Sequence, residues 1–286
     1  MKNINPNLNQ LEDNLYHLGF QRSKKDYEKL FNDVKFVLIC GSESRSKLIA
    51  QEVCKAMKLP EDEIKEDLFH SCRYAIYKVK HVLVSSHGMG NPSTSILLNE
   101  LLKLLHYAKC VDPVIIRVGT CGGIGVEPGS VVISEQAFDG SLTTSWKIPI
   151  LGVIVERPAN LDRNLSQKLL KSAQESNLPF KVLTGNTMSC DDFYEGQGRR
   201  NGIFCEYSEE EKMNFLKRAQ SLGIKNIEME TIVLGGLCHK AGVSATAVCV
   251  VLIDRLDEDI VANEVDDIEG RPIKLVINYI LSKLTE

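Results

Sequence analysis

Short apolar runs alternate with helix-like segments along most of this 286-residue chain. Apolar runs of about four to eight residues predict buried β-strands, whereas apolar residues spaced three and four apart predict amphipathic helices. The predicted strands are 36–40, 73–79, 82–86, 114–118, 130–135, 181–185, 225–228 and 245–253. The predicted helices are 46–58, 93–108, 162–175, 209–222, 231–241 and 271–284. Such alternation predicts an α/β fold with a central, mixed but largely parallel β-sheet flanked by helices.

The chain divides into a polar N-terminal arm at residues 1–30 and an α/β domain at 31–286. The arm begins with MKNINPNLNQLEDN, which is polar and acidic, and we expect it to be partly helical. Neither an internal repeat nor a low-complexity linker interrupts the rest, so we expect a single domain there. Within it, Asn91 and Pro92 predict a helix cap and first helical position, and Gly242 predicts a helix end.

Composition narrows the class of function. The 38 acidic and 34 basic side chains give a formal net charge of −4, which argues against a nucleic-acid or anionic-membrane surface. No apolar stretch reaches the roughly 18 residues of a membrane span, and the N-terminus lacks the apolar centre of a signal peptide. Nine cysteines without a CxxC spacing are typical of reduced, buried thiols. We therefore expect a cytoplasmic protein that binds small molecules.

Several common catalytic motifs are absent. The segment CGSESRSK after the first predicted strand has one glycine, so it lacks the G-x-G-x-x-G pattern of dinucleotide-binding folds. The chain also contains no G-x-x-x-x-G-K-[ST] phosphate loop. Neither G-x-S-x-G nor H-E-x-x-H occurs, which disfavours a serine hydrolase and a zinc protease.

Arginines and small donors collect at the predicted strand ends, where ligands bind in open α/β sheets. Gly41 and Arg45 follow the first strand, Arg73 opens the second, and Arg117 and Thr120 lie at the end of the fourth. Guanidinium groups, a hydroxyl and glycine N–H groups together suit an oxyanion such as phosphate. Arg45 and Arg73 could equally be solvated surface charges. Arg117 must find an anion or reach water, because its sequence neighbours are apolar.

A pair of carboxylates follows a later predicted strand. Glu228 and Glu230 flank Met229, and on an extended backbone the two acidic side chains point the same way. They could accept hydrogen bonds from the vicinal hydroxyls of a sugar, with the thioether packed on its apolar face. An acidic helix start that is stabilised by the helix dipole is the alternative.

A third cluster occupies the segment DDFYEGQGRRNG at 191–202. Phe193 can stack on a flat ring, Gln197 offers a donor and an acceptor, and Arg199 offers donors. This set matches a base edge that carries two carbonyls around an N–H. A polar surface loop is the alternative.

Five segments in order resemble the uridine phosphorylase branch of the nucleoside phosphorylase-I family: GSESR, SSHGMGNPS, RVGTCGGIGVEPGSVVISEQAFD, FYEGQGR and IEMET. The resemblance implies a nucleoside phosphorylase-I fold and the reversible phosphorolysis of uridine to uracil and ribose 1-phosphate, a step of pyrimidine salvage. It implies phosphate as co-substrate and neither a metal nor an organic cofactor. It also implies a homodimer with shared sites, to whose interface the arm contributes, and a hexamer is the alternative.

The resemblance assigns a role to each matching residue. The implied phosphate ligands are Gly41, Arg45, Arg117, Thr120 and, from the partner subunit, Arg73. The implied ribose ligands are Glu228, Met229, Glu230 and, across the interface toward the 5′-hydroxyl, His17. The implied base ligands are Phe193, Gln197, Arg199, Leu252 and Ile253. Arg117, Thr120, Gln197, Arg199 and Glu230 are the expected catalytic residues, and the glycines after Arg117 are expected to leave room for phosphate and ribose.

Other functions stay open at this point. Asp254 lies near the place where purine-specific members of the superfamily protonate the leaving base, although it could instead be a solvated carboxylate paired with Arg255. A non-catalytic nucleoside-binding paralogue is a further alternative. A hydrolase is disfavoured, because activating water requires a carboxylate base more than a cationic site. Ser42 and Cys121 replace residues that are commonly Asp and a small hydroxyl residue in relatives.

Overall fold

The computed structural model describes residues 1–10, 14–21, 25–66, 73–257 and 268–284. Its strands are β1 (Asn14–Leu15), β2 (Phe20–Gln21), β3 (Phe36–Cys40), β4 (Ile76–Val79), β5 (Val82–Ser86), β6 (Val114–Gly123), β7 (Val131–Asp139), β8 (Ser145–Ile150), β9 (Val153–Pro158), β10 (Val182–Ser189), β11 (Ile224–Glu228) and β12 (Ser244–Asp254). Its helices are α1 (Tyr27–Phe31), α2 (Glu43–Ala56), α3 (Gly90–Tyr107), α4 (Arg163–Glu175), α5 (Glu209–Ser221), α6 (Thr231–Ala241) and α7 (Gly270–Leu284). Every predicted strand and helix is therefore present, although several boundaries differ.

Eight strands form one mixed sheet in the order β11-β10-β7-β12-β6-β3-β5-β4. Five of its pairings are parallel, including β3 with β6 and β6 with β12, which confirms the largely parallel sheet. Strand β11 also pairs with β6, so β6, β12, β7, β10 and β11 form a closed ring of pairings. This ring brings the ends of β6, β11 and β12 together.

Helices cover the sheet on two sides because the central strands are apolar on both faces. On one side, α3 and α6 pack together and bury side chains of their own such as Leu97, Leu101 and Val233. On the other side lie α2, α4 and α7, which bury side chains such as Ile49 and Leu169. Burying both faces of a parallel sheet beneath helices is the arrangement expected for an α/β fold.

Two predictions about element ends are wrong. Arg73 is predicted to open a strand, but β4 begins at Ile76, because the N–H of Ala75 donates to the side-chain hydroxyl of Ser86 at 2.9 Å and not to a strand carbonyl. Helix α3 begins at Gly90, so Pro92 occupies its third position and not its first. A proline is accommodated there because the first four N–H groups of a helix have no intrahelical acceptor. Gly242 does end a helix, with φ of 66° after α6.

Residues of the N-terminal arm enter the main core. Leu15, Leu18 and Phe20 are buried there, and the ring of Phe20 packs edge-on against Tyr27 and Phe31. The predicted boundary after residue 30 thus falls within α1. The contribution of the arm to a dimer interface stays a prediction.

Three chemical features of the described residues bear on function. Eight cysteines there are free thiols, and all but Cys110 and Cys205 are buried. No cluster of three or more His, Cys, Asp or Glu side chains in those ranges is placed to hold a metal ion. Within the same ranges, none of the helices combines the length and the apolar character that crossing a membrane would require.

Candidate active site

A cavity of about 510 Å³ opens where β3, β5, β6, β11 and β12 end. It is lined by every predicted site residue except His17 and Arg73. Those predicted residues are Gly41, Arg45, Arg117, Thr120, Phe193, Gln197, Arg199, Glu228, Met229, Glu230, Leu252 and Ile253. The remaining lining residues are Ser42, His87, Gly88, Met89, Cys121, Gly122 and Ile227. The closed ring of strands therefore brings the three sequence clusters to one site.

The buried guanidinium of Arg117 lies at the centre of this site. Its Nη2 donates a hydrogen bond to Glu230 Oε2, its Nη1 donates to Cys249 Sγ at 2.8 Å, and its Nε lies 3.3 Å from Glu228 Oε2. Burial opposes the charged form, but the two carboxylates and Cys249 outweigh it and hold the pKa of Arg117 well above its usual range. The sequence prediction that Arg117 needs an anionic partner is confirmed. One N–H on each terminal nitrogen is left for a ligand.

Both carboxylates of the acidic cluster also bind helix N-termini. Glu228 accepts the N–H groups of Glu230 and Thr231 at 3.0 Å, which caps α6. Glu230 Oε1 accepts the N–H of Gly90 at 2.6 Å, at the start of α3. The helix-start alternative is thus confirmed, and the binding of sugar hydroxyls by the same two side chains, which also line the cavity, stays a prediction.

Their pKa values move in opposite directions. Burial outweighs the attraction of Arg117 and raises the pKa of Glu228. For Glu230 the opposing effect of burial is overcome by Arg117, His87 and the N–H of Gly90, and its pKa falls below the ordinary range. Glu230 is therefore the carboxylate more firmly held in its charged, hydrogen-bond-accepting form.

Two of the glycines after Arg117 make room for the protein itself. A Cβ on Gly119 would lie 2.4 Å from Arg117 Nη1, so this glycine lets the guanidinium fold back over its own strand. A Cβ on Gly123 would lie 2.6 Å from the carbonyl oxygen of Val126. At these positions the expectation that the glycines leave room for ligand is wrong, because the space is already filled by protein atoms.

The anion side of the cavity is formed by the start of α2. Ser42 caps this helix, because its hydroxyl accepts the N–H of Arg45 at 3.3 Å, and serine is among the residues preferred at this position. A helix N-terminus attracts anions through its free N–H groups and its dipole. Arg45 donates to Glu269 at 2.6 Å, and its side chain is 17% exposed.

The base side of the cavity is formed by the loop that carries Phe193, Gln197 and Arg199, and Arg255 holds this loop in place. The guanidinium carbon of Arg199 lies 4.1 Å from the ring centroid of Phe193, so the two planar groups contact one another. Gln197 is buried, and its backbone carbonyl accepts a hydrogen bond from Arg255 Nη2 at 3.1 Å. The same nitrogen donates to the carbonyl of Gly198 at 3.3 Å. Arg255 therefore holds the segment that presents Gln197 and Arg199.

His17 and Arg73 lie outside this cavity within one chain. His17 Nδ1 is 2.6 Å from Glu100 Oε1 on α3, and the same carboxylate accepts the backbone N–H groups of His17 and Leu18 at 2.9 Å. Arg73 is exposed at the bend before β4. Their assignment to the site of a partner subunit stays a prediction.

Asp254 and Arg255 each bind other groups in the structure, and not one another as the sequence alternative suggests. Asp254 Oδ1 accepts the backbone N–H groups of Gly125 and Leu256 at 2.9 and 3.1 Å. Arg255 is buried and donates to the carbonyls of the base-side loop. Asp254 is not among the described residues that line the cavity, which disfavours a role for it on a purine base.

Sequence reasoning missed His87, Cys249 and Arg255. His87 stands in the quoted segment SSHGMGNPS, yet a single histidine after an apolar run gives no signal of its own. Cys249 falls inside the predicted strand 245–253, where a cysteine is typical of a small, buried apolar residue. For Arg255, the sequence suggests only the neighbouring Asp254 as a partner. Pairing of β12 with β6 is what brings Cys249 beside Arg117.

Comparisons with known proteins identify the family of this chain. Uridine phosphorylase 2 of Homo sapiens is 44% identical over 281 residues, covering 96% of this chain and 87% of the relative. Inactive uridine phosphorylase B of Schistosoma mansoni is 38% identical, covering 97% and 95%. The crystal structure of uridine phosphorylase from Schistosoma mansoni in complex with 5-fluorouracil superposes with a TM-score of 0.93 at 38% identity, covering 99% of each chain. The Phosphorylase superfamily matches residues 35–280, and the chain belongs to this family.

Proposed function

We propose that this protein catalyses the reversible phosphorolysis of uridine to uracil and ribose 1-phosphate. One observation carries the proposal: a cationic region, a carboxylate pair and a Gln–Arg pair converge on a single cavity. Its family membership and its 44% identity to a uridine phosphorylase support the same activity. The proposal places the chain in pyrimidine salvage.

Phosphate binds, in this proposal, between the start of α2 and the end of β6. Arg45 and Arg117 donate to its oxygens, Thr120 adds a hydroxyl, and Gly41 allows a close approach of the backbone. Arg73 of the partner subunit completes the charge balance. A dianion held below the ribose attacks C1′ and stabilises the positive charge that develops on the sugar.

The leaving base is bound by the opposite side of the cavity. Uracil departs with negative charge spread over its ring and carbonyls, and Gln197 and Arg199 donate to those atoms. These hydrogen bonds strengthen as the charge develops, so they lower the barrier more than they tighten substrate binding. Phe193, Leu252 and Ile253 supply the apolar surface for the ring.

The ribose lies between the two sides. Glu230, held ionised by Arg117, accepts from the ribose hydroxyls, and Met229 packs on the apolar face of the sugar. Glu228 contributes mainly through Arg117 and the α6 cap, because its carboxylate forms an ion pair with Arg117 and accepts the backbone N–H groups at the start of α6. Neither a metal nor an organic cofactor is required in this mechanism, since phosphate is both nucleophile and charge stabiliser.

A homodimer with shared sites belongs to the proposal. The β8–β9 hairpin exposes the apolar side chains of Leu151, Val153 and Ile154, a surface that a second copy would cover. His17 and Arg73 lie outside the cavity of their own chain, as shared sites require. We also propose a cytoplasmic location, because the eight free thiols among the described residues suit a reducing compartment.

The test is product analysis with uridine, thymidine and inosine, each with and without phosphate. We expect uracil and ribose 1-phosphate in equal amounts from uridine, only when phosphate is present, and no comparable cleavage of inosine. Arg199→Met should abolish most turnover, because it removes the donor to the leaving base. Arg163→Met is the matched control, since Arg163 is exposed at the first turn of α4.

Three results would contradict the proposal, each in its own way. Uracil release that is unchanged without phosphate would indicate a hydrolase. Faster cleavage of inosine than of uridine would indicate a purine enzyme. Uridine binding in calorimetry without any cleavage would indicate a non-catalytic protein, as the name of the inactive Schistosoma mansoni relative shows is possible within this family.

A further inference from the structure

A buried histidine that the proposed mechanism does not use stands beside the phosphate region. His87 follows β5, is fully buried, and lines the cavity. Its backbone N–H donates to the carbonyl of Cys40 at 2.7 Å, which places it next to the turn that carries Gly41 and Arg45. The charges of Arg117, Glu230 and Arg45 all act on its ring.

Hydrogen bonds to Thr94 assign the tautomer of this ring. The hydroxyl of Thr94 donates to the carbonyl of Gly90 at 3.0 Å, so its single proton is used there. The same oxygen lies 3.5 Å from His87 Nδ1 and can only accept from it. On this contact we assign the proton to Nδ1 and the lone pair to Nε2.

His87 Nε2 is buried and has no protein hydrogen-bond partner among the described residues. Burial and the charge of Arg117 lower the pKa of His87 to about 4 against the opposing effect of Glu230, so the ring is neutral at physiological pH. A buried lone pair without a donor costs free energy until a ligand supplies a proton. The ligand in this region is an oxyanion, and among oxyanions only a protonated one can donate.

We propose that His87 Nε2 accepts a hydrogen bond from the P–OH group of monohydrogen phosphate and thereby selects phosphate over unprotonated oxyanions such as sulfate. This inference rests on the proposed function, since it concerns the co-substrate of that reaction. The arginines supply attraction for any dianion, whereas His87 distinguishes a protonated dianion from one that has no proton. An unprotonated oxyanion would bring its own lone pairs against that of Nε2.

The first arm of the test compares dianions of matched size in the unaltered protein at pH 8. Phosphate and arsenate carry one proton there, and sulfate and selenate carry none. We expect phosphate and arsenate to support uridine cleavage, and sulfate and selenate to inhibit only at concentrations at least about tenfold higher than the phosphate KM, the value of one good hydrogen bond. Sulfate inhibition at concentrations similar to the phosphate KM would overturn the proposal without any variant.

The second arm assigns the selectivity to His87. His87→Gln offers an amide N–H to the anion, so the ratio of the sulfate inhibition constant to the phosphate KM should fall about tenfold while the uridine KM changes less. His81→Gln is the matched control, because His81 precedes β5 at the opposite end of the same strand and its Nδ1 lies 2.9 Å from the carbonyl oxygen of Asp33. An unchanged ratio in a folded His87→Gln protein would overturn the proposal. Absence of phosphate-dependent cleavage in the unaltered protein would instead refute the proposed function.

Discussion

Replacing Arg117 with methionine should cost far more stability than the same replacement at Arg45. Both arginines line the phosphate region, but their ion pairs differ in burial. The side chains of Arg117, Glu228 and Glu230 are 6%, 2% and 5% exposed, whereas Arg45 and Glu269 are 17% and 54% exposed. Removing one partner of a buried pair costs about 3–5 kcal/mol, and an exposed pair contributes less than about 1 kcal/mol.

The cost at Arg117 can be worked out from proton uptake. Without the guanidinium, one of the two buried carboxylates must become protonated for the native state to avoid two unpaired charges. Protonating a carboxyl of ordinary pKa at pH 8 costs roughly 5 kcal/mol, which sets the upper end of the range. The native carboxyl pKa is then raised above the unfolded value, so stability is lost as pH rises. The loss should therefore shrink by about 1.4 kcal/mol for each unit between pH 8 and pH 6.

Urea unfolding of the unaltered protein, Arg117→Met and Arg45→Met at pH 8 and pH 6, at equal protein concentration, measures the loss of unfolding free energy in each variant. The single tryptophan, Trp146, packs against Gly236 and provides the fluorescence signal, and circular dichroism of the helices provides a second probe. We expect Arg117→Met to lose about 3–5 kcal/mol at pH 8 and Arg45→Met less than about 1 kcal/mol, with the phosphate KM raised in both. Equal destabilisation of the two variants, or a loss at Arg117 that does not diminish at pH 6, would refute the reasoning.

Two further predictions use single positions. Gly119→Ala places a methyl group 2.4 Å from Arg117 Nη1, so catalytic efficiency toward phosphate should fall by about a hundredfold. Gly140→Ala is the control and should retain that efficiency, because its Cβ meets only Cys190 Sγ at 3.7 Å. Steady-state kinetics of both variants measures the difference. Burial lowers the pKa of His87 from 6.5 to about 4 in the folded chain, so the unfolded state binds more protons between those values, and stability falls as the pH is lowered through that range. The His87→Gln protein should lack about 3 kcal/mol of that acid-side loss in urea unfolding, and parallel profiles for the two proteins would contradict the assigned burial.

The order of strands and helices was predictable because the central strands are continuous apolar runs. The β8–β9 hairpin was not, since Leu151 in its turn and the consecutive strand residues Val153 and Ile154 are all apolar and exposed, which breaks the usual alternation of apolar and polar residues. Helix α1 has five residues, too few for a periodic pattern to emerge.

Most cavity-lining residues were predictable because strand ends and quoted motifs mark them. The residues that hold these side chains in place were not predictable, because their contacts depend on pairing between strands that are distant in sequence. Cys249 meets Arg117 only through the β6–β12 register, and Arg255 supports Gln197 only because the base-side loop folds over β12. The tautomer of His87 depends on Thr94, which belongs to the following helix.

The central claim, that phosphate itself attacks the sugar, is tested most directly by tracing the source of the oxygen that becomes attached to C1′. Uridine is incubated with the protein and phosphate that carries ¹⁸O at all four positions, and the products are analysed by phosphorus NMR and mass spectrometry. The account predicts ribose 1-phosphate that retains all four labelled oxygens, with uracil in equal amount, because phosphate itself attacks the sugar. Free ribose that carries an oxygen from water, formed at the same rate without phosphate, would contradict it.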